Sequence, residues 1–194
     1  MQHQSAIHGG KGKRRTVDQA GEQAGAEVCS HEAITFRQGE RLIRGFGKVF
    51  IKAGTAETEA VGRALCERLL AAGRRTAFVA LFGDLGVGKT AFVRGFVSAL
   101  LPDARVKSPT YTIVNEYRGA SIPVFHFDVY RIEGEDDLYS TGYYDYLDAG
   151  YLLCEWSEKI PFALPGDRIT VRIEKTDGAD GRRITLTLPE GASD

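Results

Sequence analysis

Long apolar runs are missing from this chain. Nowhere do about 18 apolar residues follow one another, and the N-terminus lacks the apolar centre of a secretory leader, so a soluble cytoplasmic protein is the expectation. Cysteine is scarce as well. Cys29, Cys66 and Cys154 are odd in number, far apart and without C-x-x-C spacing, which argues against a disulfide framework and against a zinc site. No charge of one sign dominates: 25 Lys and Arg against 26 Asp and Glu leave a formal net charge of −1. That excludes a basic field strong enough to hold nucleic acid directly. Phe, Tyr and Trp are absent before Ser30, where polar residues, glycine and the basic run Lys11-Gly12-Lys13-Arg14-Arg15 prevail. Such a stretch cannot bury enough surface to offset the entropy of ordering it. Residues 1–35 therefore read as a disordered, solvated extension, and 36–190 as a single domain.

What the chain does have is glycine in one telling arrangement. Gly83-Asp84-Leu85-Gly86-Val87-Gly88-Lys89-Thr90 fits G-x-x-x-x-G-K-[ST] without a mismatch. In that chemistry the glycines let backbone N–H groups turn toward phosphates, a lysine neutralises the β/γ oxygens, and the final hydroxyl is a ligand for Mg²⁺. Chance produces the bare pattern too, so the flanks must decide. Before it, Thr76 to Phe82 is a nearly unbroken apolar run, suited to a strand buried on both faces. After it, Phe92, Val93, Phe96, Val97, Leu100 and Leu101 form the stripe of an amphipathic helix that stops before Pro102. Strand, glycine loop and helix stand in the order a nucleotide site needs, with Lys89 expected on an exposed loop.

Two later strands each deliver an acid. Ile122 to Asp128 ends in a carboxylate, and on the expectation that this strand lies beside the phosphate loop, Asp128 is the first candidate to hold the waters of Mg²⁺. Tyr151 to Trp156 is apolar until Glu155, which competes for that role or orients the attacking water. Thr90, Asp128 and Glu155 are thus the candidate metal ligands, and Lys89, Asp128 and Glu155 the candidate catalytic groups. Strand alternation puts His126 on the face of Asp128, where a hydrogen-bonded structural histidine is the simpler reading. Trp156, the only tryptophan, is grouped with the nucleotide contacts as a fluorescent reporter. Ser108-Pro109-Thr110-Tyr111-Thr112 reads either as a plain turn or as a loop sensing the nucleotide through Thr110.

The rest is scaffold. Gly47 to Ala53 reads as a strand, and Thr55 is the expected N-cap of a helix burying Val61, Leu65 and Leu69, with Cys66 as a small core residue. Six of the eight tyrosines lie from Tyr130 to Tyr151, which fits either a partner surface or ordinary packing. Beyond Pro165, strict alternation of Ile169, Val171 and Ile173 and then of Ile184, Leu186 and Leu188 predicts an antiparallel hairpin. The fold class is α/β: a P-loop NTPase fold with a mixed central sheet flanked by helices.

Taken together, the phosphate loop, Ser108-Pro109-Thr110-Tyr111, His126-Phe127-Asp128-Val129-Tyr130-Arg131 and Glu155-Trp156-Ser157-Glu158 resemble the bacterial TsaE family. The resemblance runs from about Val49 to Leu188, with Val87 standing where alanine is usual. It implies a Mg²⁺-dependent ATPase that supports TsaB and TsaD in threonylcarbamoyl modification of adenosine next to the anticodon, touching tRNA only through that complex. It also implies Lys89 and Thr90 on phosphate and Mg²⁺, Thr110 in the sensing loop, and Asp128 and Glu155 as essential acids. A GTPase is disfavoured, because the nearest run to a guanine signature, Glu174-Lys175-Thr176-Asp177, begins with the wrong residue. A small-molecule kinase and a nucleotide-dependent interaction protein without hydrolysis are the alternatives.

Overall fold

The computed structural model describes residues 54–176 and 181–189 in full, together with the backbone of three short strands at 34–36, 40–42 and 48–51. The predicted extension, 1–35, lies outside the described residues apart from Ile34 and Thr35, which sit in the first strand. In chain order the elements are β1 (Ile34–Phe36), β2 (Glu40–Leu42), β3 (Lys48–Ile51), α1 (Thr55–Ala71), β4 (Ala77–Phe82), α2 (Lys89–Ser98), β5 (Val114–Tyr117), β6 (Val124–Asp128), α3 (Glu135–Ser140), β7 (Tyr151–Glu155), β8 (Ile169–Lys175) and β9 (Arg182–Thr187). β1 and β2 pair with each other. The other seven strands form one sheet in the order β3-β9-β8-β4-β7-β6-β5.

That sheet is mixed, as expected. β8, β4, β7 and β6 run parallel, while β9 pairs antiparallel with β8, the edge strand β3 antiparallel with β9, and β5 at the other edge antiparallel with β6. The predicted C-terminal hairpin is β8–β9, and its two alternating sets coincide with burial of Ile169, Val171, Ile173, Ile184 and Leu186. The apolar runs of β4, β6 and β7 have no alternation because both their faces are covered. Val79, Leu81, Val124 and Leu153 pack on one side with α1 and α2, among them Leu65, Phe92 and Phe96. Phe78, Ala80, Phe127 and Cys154 pack on the other with Leu138 and Tyr143. Asp128 and Glu155 share the parity of Val124 and Leu153, so both acids emerge on the α1–α2 side at the carboxyl ends of their strands.

The tyrosine-rich segment divides. Tyr143 and Tyr151 are fully buried, Tyr143 edge-on to Phe127 with ring centroids 5.6 Å apart, whereas Tyr139 and Tyr144 remain exposed. Burial pushes the Tyr143 hydroxyl well above the ordinary phenol value. The thiols of Cys66 and Cys154 are both buried and pushed up to about 12, mainly by desolvation, which makes them inert core groups. One boundary differs from expectation. The N-cap of α1 is Gly54 rather than Thr55, with no side-chain cap. Thr55 is already inside the helix, and Thr58 turns inward and donates its hydroxyl to the Gly54 carbonyl at 2.8 Å.

α1 and α2 approach closely because glycine stands at their crossing. A Cβ on Gly95 would lie 1.8 Å from the Glu59 carbonyl oxygen, and one on Gly62 would lie 2.1 Å from that of Phe92. Gly→Ala inside a helix ordinarily gains up to about 1 kcal/mol. Here the helices must part, so Gly95→Ala is expected to cost about 3 kcal/mol and to lower Tm by roughly 6–12 °C in a thermal melt. An unchanged Tm would show that the crossing can relax.

Candidate functional site

The phosphate loop leaves β4 at Phe82 and enters α2 at Lys89. Gly83, Gly86 and Gly88 take φ values of 132°, 73° and 111°, a region that L side chains rarely adopt. Gly88 is the N-cap of α2 and no side chain caps the helix, so the first-turn N–H groups are free to meet an anion. This is the phosphate-binding loop of a P-loop NTPase fold.

Lys89 does not project from an exposed loop as expected. It is 5% exposed, with Nζ donating to the Gly83 carbonyl and, at 2.9 Å, to the Asp84 carbonyl. The same ammonium sits 3.7 Å above the centre of the Trp156 ring, a cation–π contact. Burial pushes its pKa below the ordinary lysine value, against the pull of Glu155, Glu158, Asp128 and Asp84. An ammonium partly stripped of water and surrounded by carboxylates and carbonyl dipoles has much to gain from full phosphate charge. Trp156 itself has a left-handed backbone, φ 64°. For a bulky residue that conformation costs about 1–3 kcal/mol, a strain at the very position that turns the chain under Lys89.

Strand order settles which acid stands beside the loop. The expectation that the strand of Asp128 neighbours β4 is incorrect: β7 lies between β4 and β6. Glu155, at the end of β7, pairs in register with Leu81 of β4 and with Asp128 of β6. The Thr90 hydroxyl donates to Glu155 Oε1 at 2.8 Å. His126 Nε2 lies 2.8 Å from that same oxygen, while its Nδ1 has no hydrogen-bond partner. The Nε2 proton therefore faces the carboxylate. His126 is completely buried, and the contact is diagonal across β6 and β7, since His126 is in register with Leu153.

Asp128 holds a different group. Its Oδ2 accepts from Thr110 at 2.5 Å and from Ser108 at 3.1 Å, and the two hydroxyls are 2.7 Å apart. Its Oδ1 accepts the Tyr130 N–H at 3.0 Å. The 108–113 loop is fastened to β6 through the backbone as well, because the Asp128 N–H donates to the Ile113 carbonyl at 2.9 Å. Ile113 has φ 66°, an unfavourable conformation for a β-branched residue. Thr90 and Glu155 thus form one cluster with His126, and Asp128 and Thr110 a second.

The model of the family described as "Threonylcarbamoyl adenosine biosynthesis protein TsaE" matches residues 53–184, a span containing both clusters and the whole loop. The chain belongs to the TsaE family. It is 42% identical over 108 residues to the tRNA threonylcarbamoyladenosine biosynthesis protein TsaE of Bacillus subtilis, a match covering 55% of this chain and 66% of that protein. The TsaE protein of Haemophilus influenzae is 43% identical over 109 residues, covering 56% and 68% respectively. The chain thus spans about two thirds of the length of these relatives. The crystal structure of Bacillus subtilis YdiB superposes with a TM-score of 0.57 at 31% identity, over 73% of this chain and 85% of that one.

Within this TsaE site, two residues of the quoted motifs make contacts that the sequence does not assign to them. Glu158 accepts the Gly83 N–H at 3.4 Å, joining the strand-end motif to the phosphate loop. His126 reads as structural from its strand alone, and only the strand register reveals its grip on Glu155. Among the described residues no three His, Cys, Asp or Glu side chains are grouped to hold a metal unaided. The Thr90 hydroxyl and the Glu155 carboxylate are nevertheless hard oxygen donors side by side, the kind suited to Mg²⁺, which takes few protein ligands and completes its shell with phosphate and water. Among the described residues no helix is long and apolar enough to cross a membrane.

Proposed function

We propose that this chain is a Mg²⁺-dependent ATPase of tRNA threonylcarbamoyladenosine biosynthesis, acting with TsaB and TsaD and leaving the threonylcarbamoyl transfer to them. The observation that carries the reading is the 2.8 Å contact between the Thr90 hydroxyl and Glu155 Oε1 beside the phosphate loop. It pairs the loop hydroxyl with a strand-end carboxylate, as Mg-nucleotide chemistry requires. The names of the relatives supply the pathway, and the family resemblance supplies the partners. With a net charge of −1, the chain is suited to reach tRNA through a complex rather than by itself.

In this mechanism Lys89 moves its ammonium from the Gly83 and Asp84 carbonyls to the β/γ oxygens, exchanging dipoles for full charges. Thr90 and Glu155 would hold Mg²⁺, which neutralises developing charge on the phosphates when bound. A water oxygen forms a bond to the γ-phosphorus as the bond from that phosphorus to the bridging oxygen breaks, one water proton staying on the phosphate and the other leaving to solvent, which gives ADP and inorganic phosphate. His126 keeps the Glu155 carboxylate aimed while the Thr90 hydroxyl changes partner. Asp128, through Thr110 and Ser108, ties the 108–113 loop to the site, so that the loop answers to the γ-phosphate.

The deciding measurement is ATP turnover by the chain alone and with TsaB and TsaD, using GTP as the control. Slow turnover alone, a rise on adding both partners, and free phosphate as product are expected. Phosphate appearing on a small-molecule acceptor would favour a kinase, and nucleotide binding without turnover in the full complex would favour an interaction protein.

A further inference from the structure

The phosphate loop leans on the C-terminal hairpin at both of its ends. Where it begins, Gly83 runs so close to β8 that a Cβ there would lie 2.1 Å from the Ile173 carbonyl oxygen. Where it closes, Arg182 at the start of β9 donates from Nε to the Val87 carbonyl at 3.0 Å, while its Nη1 donates to the Gly181 carbonyl at 3.0 Å. Val87 precedes the N-cap, so the helix ladder offers its carbonyl no donor. The guanidinium provides one, cationic and fixed in direction by its planar fork.

The consequence follows from peptide geometry. Among the described residues there is no cis peptide, and in a trans peptide the carbonyl and the following N–H point in opposite directions. Holding the Val87 oxygen toward the hairpin therefore holds the Gly88 N–H away from it. Gly88, at φ 111°, has wide backbone freedom, and without a clamp this peptide would be free to rotate. We infer that Arg182 is a positioning residue: from outside the loop it fixes the Val87–Gly88 peptide so that the Gly88 N–H is presented to the nucleotide phosphate. This deepens the proposed function and rests on it.

Side-chain length provides a clean test. Gln carries its amide nitrogen at the same distance from the backbone as the Arg Nε, without charge, whereas Lys keeps the charge but places a methylene at that position. In Arg182→Met and Arg182→Lys, the Kd for ADP, read from Trp156 fluorescence, is expected to rise about tenfold, the worth of one hydrogen bond from a charged donor. Arg182→Gln is expected to recover most of the affinity. In the nucleotide-free protein, amide hydrogen exchange across residues 83–90 should quicken in the Met and Lys variants, with Tm nearly unchanged. Wild-type affinity in Lys with loss in Gln would overturn the inference in favour of direct charge attraction, and wild-type affinity and exchange in all three would overturn it outright. If the wild-type chain binds no ADP, the nucleotide reading itself fails, and the nucleotide-free exchange data still decide whether Arg182 holds the loop.

Discussion

Lys89→Ala is expected to raise the Kd for Mg-ATP about 100-fold or more, because the ammonium would make charge-assisted contacts to phosphate worth about 1.5–3 kcal/mol each. The fold should survive the change. In the structure Nζ is held by the Gly83 and Asp84 carbonyls and by the Trp156 ring. Deleting it leaves two carbonyls short of a donor but also removes a buried, partly desolvated cation, and the two effects oppose each other. A Tm within about 3 °C of wild type is the expected result in a thermal melt. Calorimetry with Mg-ATP provides the affinity, and undiminished binding by the variant would end the assignment of the loop as a nucleotide site. Because Nζ lies 3.7 Å from the centre of the indole ring, the wild-type Trp156 emission should change when ATP draws the lysine away. In the alanine variant that nucleotide-dependent change should vanish, and the resting emission should already differ.

Local patterns along the chain make much of this site legible. The phosphate loop is written in contiguous residues and supported by its flanks, and the β8–β9 hairpin by two alternating runs. Both depend only on neighbours along the chain. Strand order does not. β6 and β7 present the same signal, an apolar run that ends in an acid, and nothing in either run says which of them pairs with β4. Sequential strands tend to be neighbours, which favours the strand of Asp128; the sheet instead inserts β7 next to the loop. His126 shows the same limit at the scale of one side chain. Alternation correctly puts it on the face of the acids, but its partner is Glu155 on the adjoining strand rather than Asp128 on its own. Arg182 lies beyond either kind of pattern, since its contact with Val87 joins residues 95 positions apart. For Lys89 the motif gives the right place and the wrong exposure, because no sequence pattern foretells that Trp156 will fold beneath it.

The same strand order exchanges the roles that sequence position alone would give the two acids. Glu155 is the one within hydrogen-bond distance of Thr90, so it, rather than Asp128, is expected to hold Mg²⁺. Glu155→Gln keeps the shape and the hydrogen bond to Thr90 but removes the negative charge a hard cation requires. The Mg²⁺ concentration for half-maximal ATP binding should rise about tenfold or more, the scale seen when a metal site loses its supporting charge, and kcat should fall about 100-fold. Asp128 makes its contacts with Thr110, Ser108 and the Tyr130 N–H. Asp128→Asn would leave the Mg²⁺ dependence of binding within about threefold, below 1 kcal/mol, while lowering kcat about 10–100-fold by releasing the 108–113 loop from the site. Measuring Mg²⁺-dependent ATP affinity and partner-stimulated kcat separately for both variants distinguishes the two assignments. Loss of Mg-ATP binding in Asp128→Asn with normal binding in Glu155→Gln would restore the metal to Asp128. Turnover at the wild-type rate by both variants in the full complex would remove hydrolysis from the site altogether, leaving a nucleotide-dependent interaction protein built on the same loop.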